Sequence, residues 1–287
     1  MGRIRNSLEL AKASWAVLKA DKELVVLPIL SGIASILVAA TFIVPLVLTG
    51  RGSVGEDGGP VFYIVMFFMY VTLAYVTIFF NAALVSAAHE RLQGGDPTLG
   101  SAIAGARSRA GKILPWAIVS ATVSIILKAI EERAGALGRI ITGFAGMAWA
   151  VVTFLVLPII VIEGVGVGDA VRKSGSLFKQ TWGENLAAQV GFGLLGFVAM
   201  LPGIAVIVGG ALVGSSALIV GIVLGVLWII AVAVVLSAMS LIFQTALYHF
   251  AVDGGVPSGY FSDATLSAAF APKKGRIGGL GGGFAGS

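Results

Sequence analysis

The sequence predicts an all-α polytopic membrane protein, a bundle of six transmembrane helices. Three observations predict it. Apolar residues run on without a charge for lengths that cross a bilayer. Charged residues make up 11% of the 287 residues, against about 25% in soluble domains, so the chain cannot wet its own surface. The Lys and Arg that remain gather in alternate loops.

The chain opens on an amphipathic stretch. Ile4, Leu8, Ala11, Trp15 and Leu18 recur at helical spacing on one face, and Arg5, Lys12 and Lys19 recur on another. Trp15 suits headgroup level, and the pattern is that of a helix lying in the membrane interface. Leu24–Leu48 carries no charge and reads as the first span. It is retained rather than cleaved, being too long for a signal-peptide core and too far from the first residue. Val61–Ala88 is the second span and Ile113–Leu127 the third. Lys128, Glu131, Glu132 and Arg133 close the third at the outer surface, with Lys128 and Glu132 one turn apart and able to pair. Ile140–Ile162 is the fourth span. A second amphipathic stretch sets Val171, Phe178 and Trp182 beside Arg172 and Lys179. From Asn185 to Val252 there is no Asp, Glu, Lys or Arg, which leaves room for two more spans, with a break expected at Gly209–Ser216. Pro28, Pro45, Pro158 and Pro202 fall within or at the ends of spans, as kinks or hinges. Residues 1–272 form a single integral membrane domain, and the Gly-rich stretch 273–287 reads as a flexible tail.

An internal repeat orders these elements as an interface helix and two spans, three times, over about 1–97, 98–165 and 166–260. Arg5, Ser7, Lys12, Ser14 and Trp15 match Arg172, Ser174, Lys179, Thr181 and Trp182 at one constant offset. Phe80-Asn81-Ala82-Ala83-Leu84 likewise matches Phe243-Gln244-Thr245-Ala246-Leu247. The middle copy is fainter, marked by Ser101 beside Asp169 and Asp263, each expected to accept bonds from free N–H groups at a helix start. Each copy holds an even number of spans, so the copies are expected to lie parallel.

Charge sets the orientation. Fifteen of the nineteen Lys and Arg fall before span 1, after span 2, after span 4 or in the tail. Basic residues are retained on the cytoplasmic face, so both termini are expected in the cytoplasm of a prokaryote, with the protein in the plasma membrane. The sequence pI near 9.6 follows from this bias; the basic residues are dispersed and lack a reading motif, so nucleic acid is not the expected partner.

Chemistry-bearing motifs are scarce. There is no cysteine, which removes disulfides, thiolate metal sites and a Cys nucleophile. His89 and His249 lie near the same ends of spans 2 and 6 and can pair across the bundle, but two ligands do not make a metal site. Gly105 to Ile113 resembles a phosphate-binding loop and fails on glycine spacing and on Ile113, where a hydroxyl is required. No catalytic residue, cofactor site or metal site is predicted, and the chain is not expected to be an enzyme. Asn81 and Gln244 are deeper polar groups, expected to make interhelical hydrogen bonds. Gly210–Gly214 and Gly221–Gly225 have the spacing that lets helices approach closely.

Two resemblances bear on function. Ser14-Trp15, Asp21-Lys22-Glu23-Leu24 with Pro28, and Phe243-Gln244-Thr245-Ala246-Leu247-Tyr248 resemble a family of uncharacterised prokaryotic six-span membrane proteins. That family is distantly similar to the membrane domain fused to some glycerophosphodiester phosphodiesterases. The resemblance implies a helical membrane domain and no activity, since no soluble catalytic region is present to match. The three two-span units are also similar in plan to mitochondrial carriers, but no proline here has an acidic residue two positions on, as their signature requires. The expected function is therefore non-enzymatic: organising lipid or a protein partner, which the sequence does not name. Arg5, Lys12, Arg172 and Lys179 are the candidates for anionic headgroups, with Trp15 and Trp182 as interfacial anchors. The same residues read equally as topological anchors. A small-solute transporter or channel is the alternative function, and it would need polar groups such as Asn81, Gln244, Thr245, Thr72 and Ser124 around a shared cavity.

Overall fold

A computed structural model describes residues 2–49, 60–133, 135–182, 187–256, 259–261 and 266. Among them the chain forms ten α-helices: α1 Gly2–Ala20, α2 Glu23–Leu48, α3 Pro60–Leu92, α4 Leu99–Ser108, α5 Ala110–Arg133, α6 Gly135–Thr153, α7 Val156–Glu163, α8 Val167–Trp182, α9 Ala187–Val213 and α10 Ser215–Asp253. Six stretches are long and apolar enough to cross a membrane: Glu23–Leu48, Val61–Leu92, Ala110–Arg133, Gly138–Glu163, Gly196–Val213 and Ser215–Asp253. They coincide with the six runs read from the sequence. Their outward side chains are large and apolar, with Ile36, Phe144 and Leu227 more than half exposed, a surface suited to lipid rather than water.

Local chemistry explains the breaks. The last two spans separate at Gly214, whose φ of 143° suits glycine, inside the segment where the sequence placed the joint. Span 4 keeps the run read as Ile140–Ile162, but its helix is interrupted, stopping at Thr153 and restarting at Val156. Pro158 has no N–H for the carbonyl of Phe154 four residues earlier, so the ladder fails there. The Leu155 N–H donates instead to Ser174 Oγ on α8, at 3.1 Å. Pro28, Pro45, Pro115 and Pro202 lie inside uninterrupted helices. The helix start near Ser101 is corrected. Thr98 is the cap of α4: its Oγ1 accepts from the Ser101 N–H, and Ser101 Oγ accepts from the Thr98 N–H, each at 3.0 Å. Asp169 lies in the first turn of α8, and Asp263 falls outside the described residues.

Packing follows chain order around a ring. The second spans, α3, α7 and α10, touch one another at the centre. Leu84, Leu155, Ile159, Ile160, Ile242 and Leu247 fill the core with almost no exposure. The short helices lie on spans of other units: α4 on α2 and α3, α8 on α6 and α7, the two halves of span 4, and α1 on α9 and α10 from the far end of the chain. The hairpin of α9 and α10 is the tightest contact. A Cβ on Gly221 would lie 2.8 Å from the Val206 carbonyl oxygen, so the backbones themselves are in contact. Gly221 and Gly225 thus do what their spacing suggested, facing Gly210 and Gly203; Gly214 is the joint and takes no part.

Candidate functional site

The polar side chains collect at one end of the bundle, where α3, α7 and α10 finish and α2, α4, α5 and α8 begin. Charges are confined to the rim because an unpaired one costs several kcal/mol within hydrocarbon. Those that are buried here are paired. Asp21, buried between α1 and α2, accepts a two-pronged contact from the Arg91 guanidinium in the last turn of α3. Arg91 also reaches exposed Asp96 at 2.5 Å. Beside it, Ser101 Oγ on α4 donates to Glu90 Oε2 at 3.0 Å. His89 Nδ1 lies 2.9 Å from His249 Nε2, the rings parallel, and His249 Nδ1 lies 2.8 Å from Asp253 Oδ2. The histidines therefore do pair across α3 and α10, as their places in the sequence suggested.

The end of α7 is held from three sides. Glu163 accepts from the Tyr248 hydroxyl of α10 at 2.7 Å and from Lys173 Nζ of α8 at 2.8 Å. Arg109 Nε donates to the Val161 carbonyl at 3.1 Å, and the Lys112 ammonium donates to the Gly164 carbonyl. Basic groups on the last carbonyls of a helix satisfy acceptors that have no intrahelical donor and oppose the negative dipole end. Chemically, this collar is a set of closed pairs that clamps helices. Among the described residues no group of three or more His, Asp or Glu is placed to hold a metal ion.

The residues singled out from sequence stand apart from the collar. Lys12, Arg172 and Lys179 are exposed on α1 and α8. The side chains of Arg5 and Trp182 lie outside the described residues. Trp15 is half exposed, while α1 buries Leu10, Ser14, Val17 and Leu18. Of the apolar face read from the sequence, Leu8 and Trp15 are exposed, Ala11 is half-buried against the core and Leu18 is buried, while the side chain of Ile4 lies outside the described residues. On α8, Ala170, Ser174 and Phe178 are buried opposite Arg172 and Lys179. Among the described residues, neither Asn81 nor Gln244 makes the interhelical bond expected of it. Gln244 Nε2 contacts Ser240 Oγ of its own helix at 3.3 Å, one turn back, and Asn81 has no side-chain hydrogen bond to a described residue. The hydroxyls in the spans also turn inward on their own helices, Thr72 to the Phe68 carbonyl at 2.7 Å and Thr245 to the Leu241 carbonyl at 2.8 Å. Lys128, Glu131, Glu132 and Arg133 are exposed at the opposite end of α5, where Lys128 and Glu132 do not pair.

Sequence reasoning missed Asp21, Arg91, Glu163 and Tyr248 as a group. A signal existed for Glu163, an acid ending an apolar run, and for Arg91, a charge at the end of the longest early helix. Nothing in spacing joins either to a partner 70 or 85 residues away.

Six apolar spans, lipid-suited flanks and a polar collar define a multi-pass helical membrane protein. The chain belongs to a family of unknown function (DUF6159), whose pattern it matches over residues 60–259. A search of curated proteins finds no match, so the likeness to the glycerophosphodiester phosphodiesterase membrane domain rests on the short motifs alone.

Proposed function

We propose that this protein is a non-enzymatic membrane organiser that holds anionic lipid against the interface helices α1 and α8, with both termini on the cytoplasmic side of a plasma membrane. The observation that carries the reading is the placement of Lys12, Arg172 and Lys179. They project outward from short helices laid on the span pairs, and none has a partner among the described residues. Lysine and arginine at that level attract anionic headgroups by about 1 kcal/mol each. The core supports a non-transport role, since α3, α7 and α10 meet through apolar side chains and the span hydroxyls of Thr72 and Thr245 are satisfied within their own helices.

The test is lipid selectivity. The full chain, purified in neutral detergent, is offered phosphatidylglycerol and phosphatidylcholine, and the lipids retained are counted by native mass spectrometry. Replacing Arg5, Lys12, Arg172 and Lys179 with Gln should reduce the preference for phosphatidylglycerol at least tenfold, and an unchanged preference overturns the reading. Solute flux in proteoliposomes that disappears with Asn81→Leu plus Gln244→Leu, with the fold retained, would establish the transporter instead. Orientation is checked separately by single cysteines, since the chain has none of its own. Ser53 should label from outside intact cells, and Ser101, Ser176 and Ser287 only after permeabilisation.

We also infer that the three units are parallel copies. The order of short helix, span, span recurs three times; α4 and α8 rest on the preceding unit's spans, and α1 closes the ring on α9 and α10. An experimental structure in which 1–97 and 166–260 fail to superpose would remove this.

A further inference from the structure

An open groove of about 450 Å³ runs between α1 and the α9–α10 hairpin. Its floor is one face of α10, Trp228, Ala231, Val232, Val235 and Met239, residues at helical spacing over roughly 16 Å. Leu8 and Trp15 of α1 overhang it. Trp228 closes the end farther from the polar collar, its indole N–H donated to the Ala199 carbonyl at 2.9 Å, so that only ring carbon faces the space. Lys12 is the one charged side chain among the lining residues. It has no hydrogen bond or ion pair to a described residue.

We propose that this groove is a lipid site: it takes one acyl chain of an anionic phospholipid from the leaflet in which α1 lies, with the phosphate at the Lys12 ammonium. This rests on the interface-helix reading and sharpens it to one place and one occupant. The groove flanks membrane-spanning helices and is apolar along its length, so a hydrocarbon chain is what its walls accommodate. The one charged side chain in its lining, without an ion pair to a described residue, is complementary to a phosphate and indifferent to a hydrocarbon. The small side chain of Ala231 leaves the floor open, and the volume falls within the range of about 300–1,000 Å³ that small-molecule sites occupy.

The experiment uses the full chain in neutral detergent with dioleoylphosphatidylglycerol and dioleoylphosphatidylcholine, read by native mass spectrometry. One phosphatidylglycerol should be retained in preference to phosphatidylcholine. Lys12→Gln should lower that preference about fivefold, the effect of one cation at the membrane surface. Ala231→Phe, which fills the groove from an exposed position, should abolish retention of that lipid. In the unaltered chain, phosphatidylglycerol bearing a photoreactive group in its acyl chain should crosslink within 228–239 of α10, a readout that needs no variant to fold. Retention that survives Ala231→Phe, or crosslinks that fall elsewhere, overturns the groove. If retention then still falls with the four-residue neutralisation, the interface-helix reading stands without it; if that variant also retains lipid normally, both fail.

Discussion

Replacing Arg91 tests whether the collar clamps the bundle. Asp21 has a side chain only 3% exposed, and Arg91, itself 18% exposed, gives it two donors from α3. Truncating Arg91 to Ala leaves a buried carboxylate facing no counter-charge. Breaking one partner of a buried pair costs about 3–5 kcal/mol, most of it the desolvation of the charge left behind. The second acid gives the internal control. Asp96 is 92% exposed and touches the same guanidinium, so Asp96→Asn removes a contact that water screens and should cost at most about 1 kcal/mol. Removing both charges with Asp21→Asn plus Arg91→Gln should be milder than Arg91→Ala alone, because no net charge is stranded. The assay is denaturant-induced unfolding in detergent micelles, followed by tryptophan fluorescence. Equal losses for Arg91→Ala and Asp96→Asn would refute the reasoning, and so would a double variant weaker than the single.

Three further outcomes follow from the same geometry and are read by the same unfolding assay. Tyr248→Phe removes the hydroxyl that donates to Glu163 from a side chain buried in α10, and should cost about 1.5–3 kcal/mol, more than Lys173→Met on the exposed side of the same carboxylate. Gly164→Ala should destabilise by about 1–3 kcal/mol, because the residue sits at φ 65° at the end of α7 and the Arg109 guanidinium occupies the space a Cβ needs. Ser14→Ala should be neutral or stabilising, since the Ser14 hydroxyl is fully buried with no hydrogen-bond partner among the described residues, and its loss relieves an uncompensated polar group.

The spans were legible because their signal is local. An uninterrupted apolar run of the right length specifies a helix without reference to any other part of the chain. The joint at Gly214 was legible for the same reason. The interruption between α6 and α7 was only half legible: Pro158 announces a weak point, but whether a helix bends or breaks depends on who receives the freed groups. Here Ser174, 19 residues on, takes the Leu155 N–H. The collar was the least legible part. Asp21 and Arg91 each look like ordinary loop charges, and only the return of α3 to the start of α2 brings them together. Asn81 and Gln244 show the reverse failure. A carboxamide in a span suggests a partner on another helix, whereas Gln244 meets a serine one turn back on its own.

The faintness of the middle copy has a physical explanation under the repeat reading. In the first unit the joint between short helix and first span carries Asp21, which grips a side chain, Arg91, at the end of the second span. In the second unit the corresponding joint carries Arg109 and Lys112, which grip backbone carbonyls at the end of α7. The geometric task is the same: the start of the first span is tied to the end of the second, so the hairpin is closed where it leaves the hydrocarbon. The chemistry is inverted, because an acid needs a basic side chain while a base can use the carbonyls every helix end already offers. Two copies that keep the task and exchange the donor and the acceptor share few residue identities at the positions that matter. Matching by residue type would pass over the middle unit, although its helices take the same order along the chain.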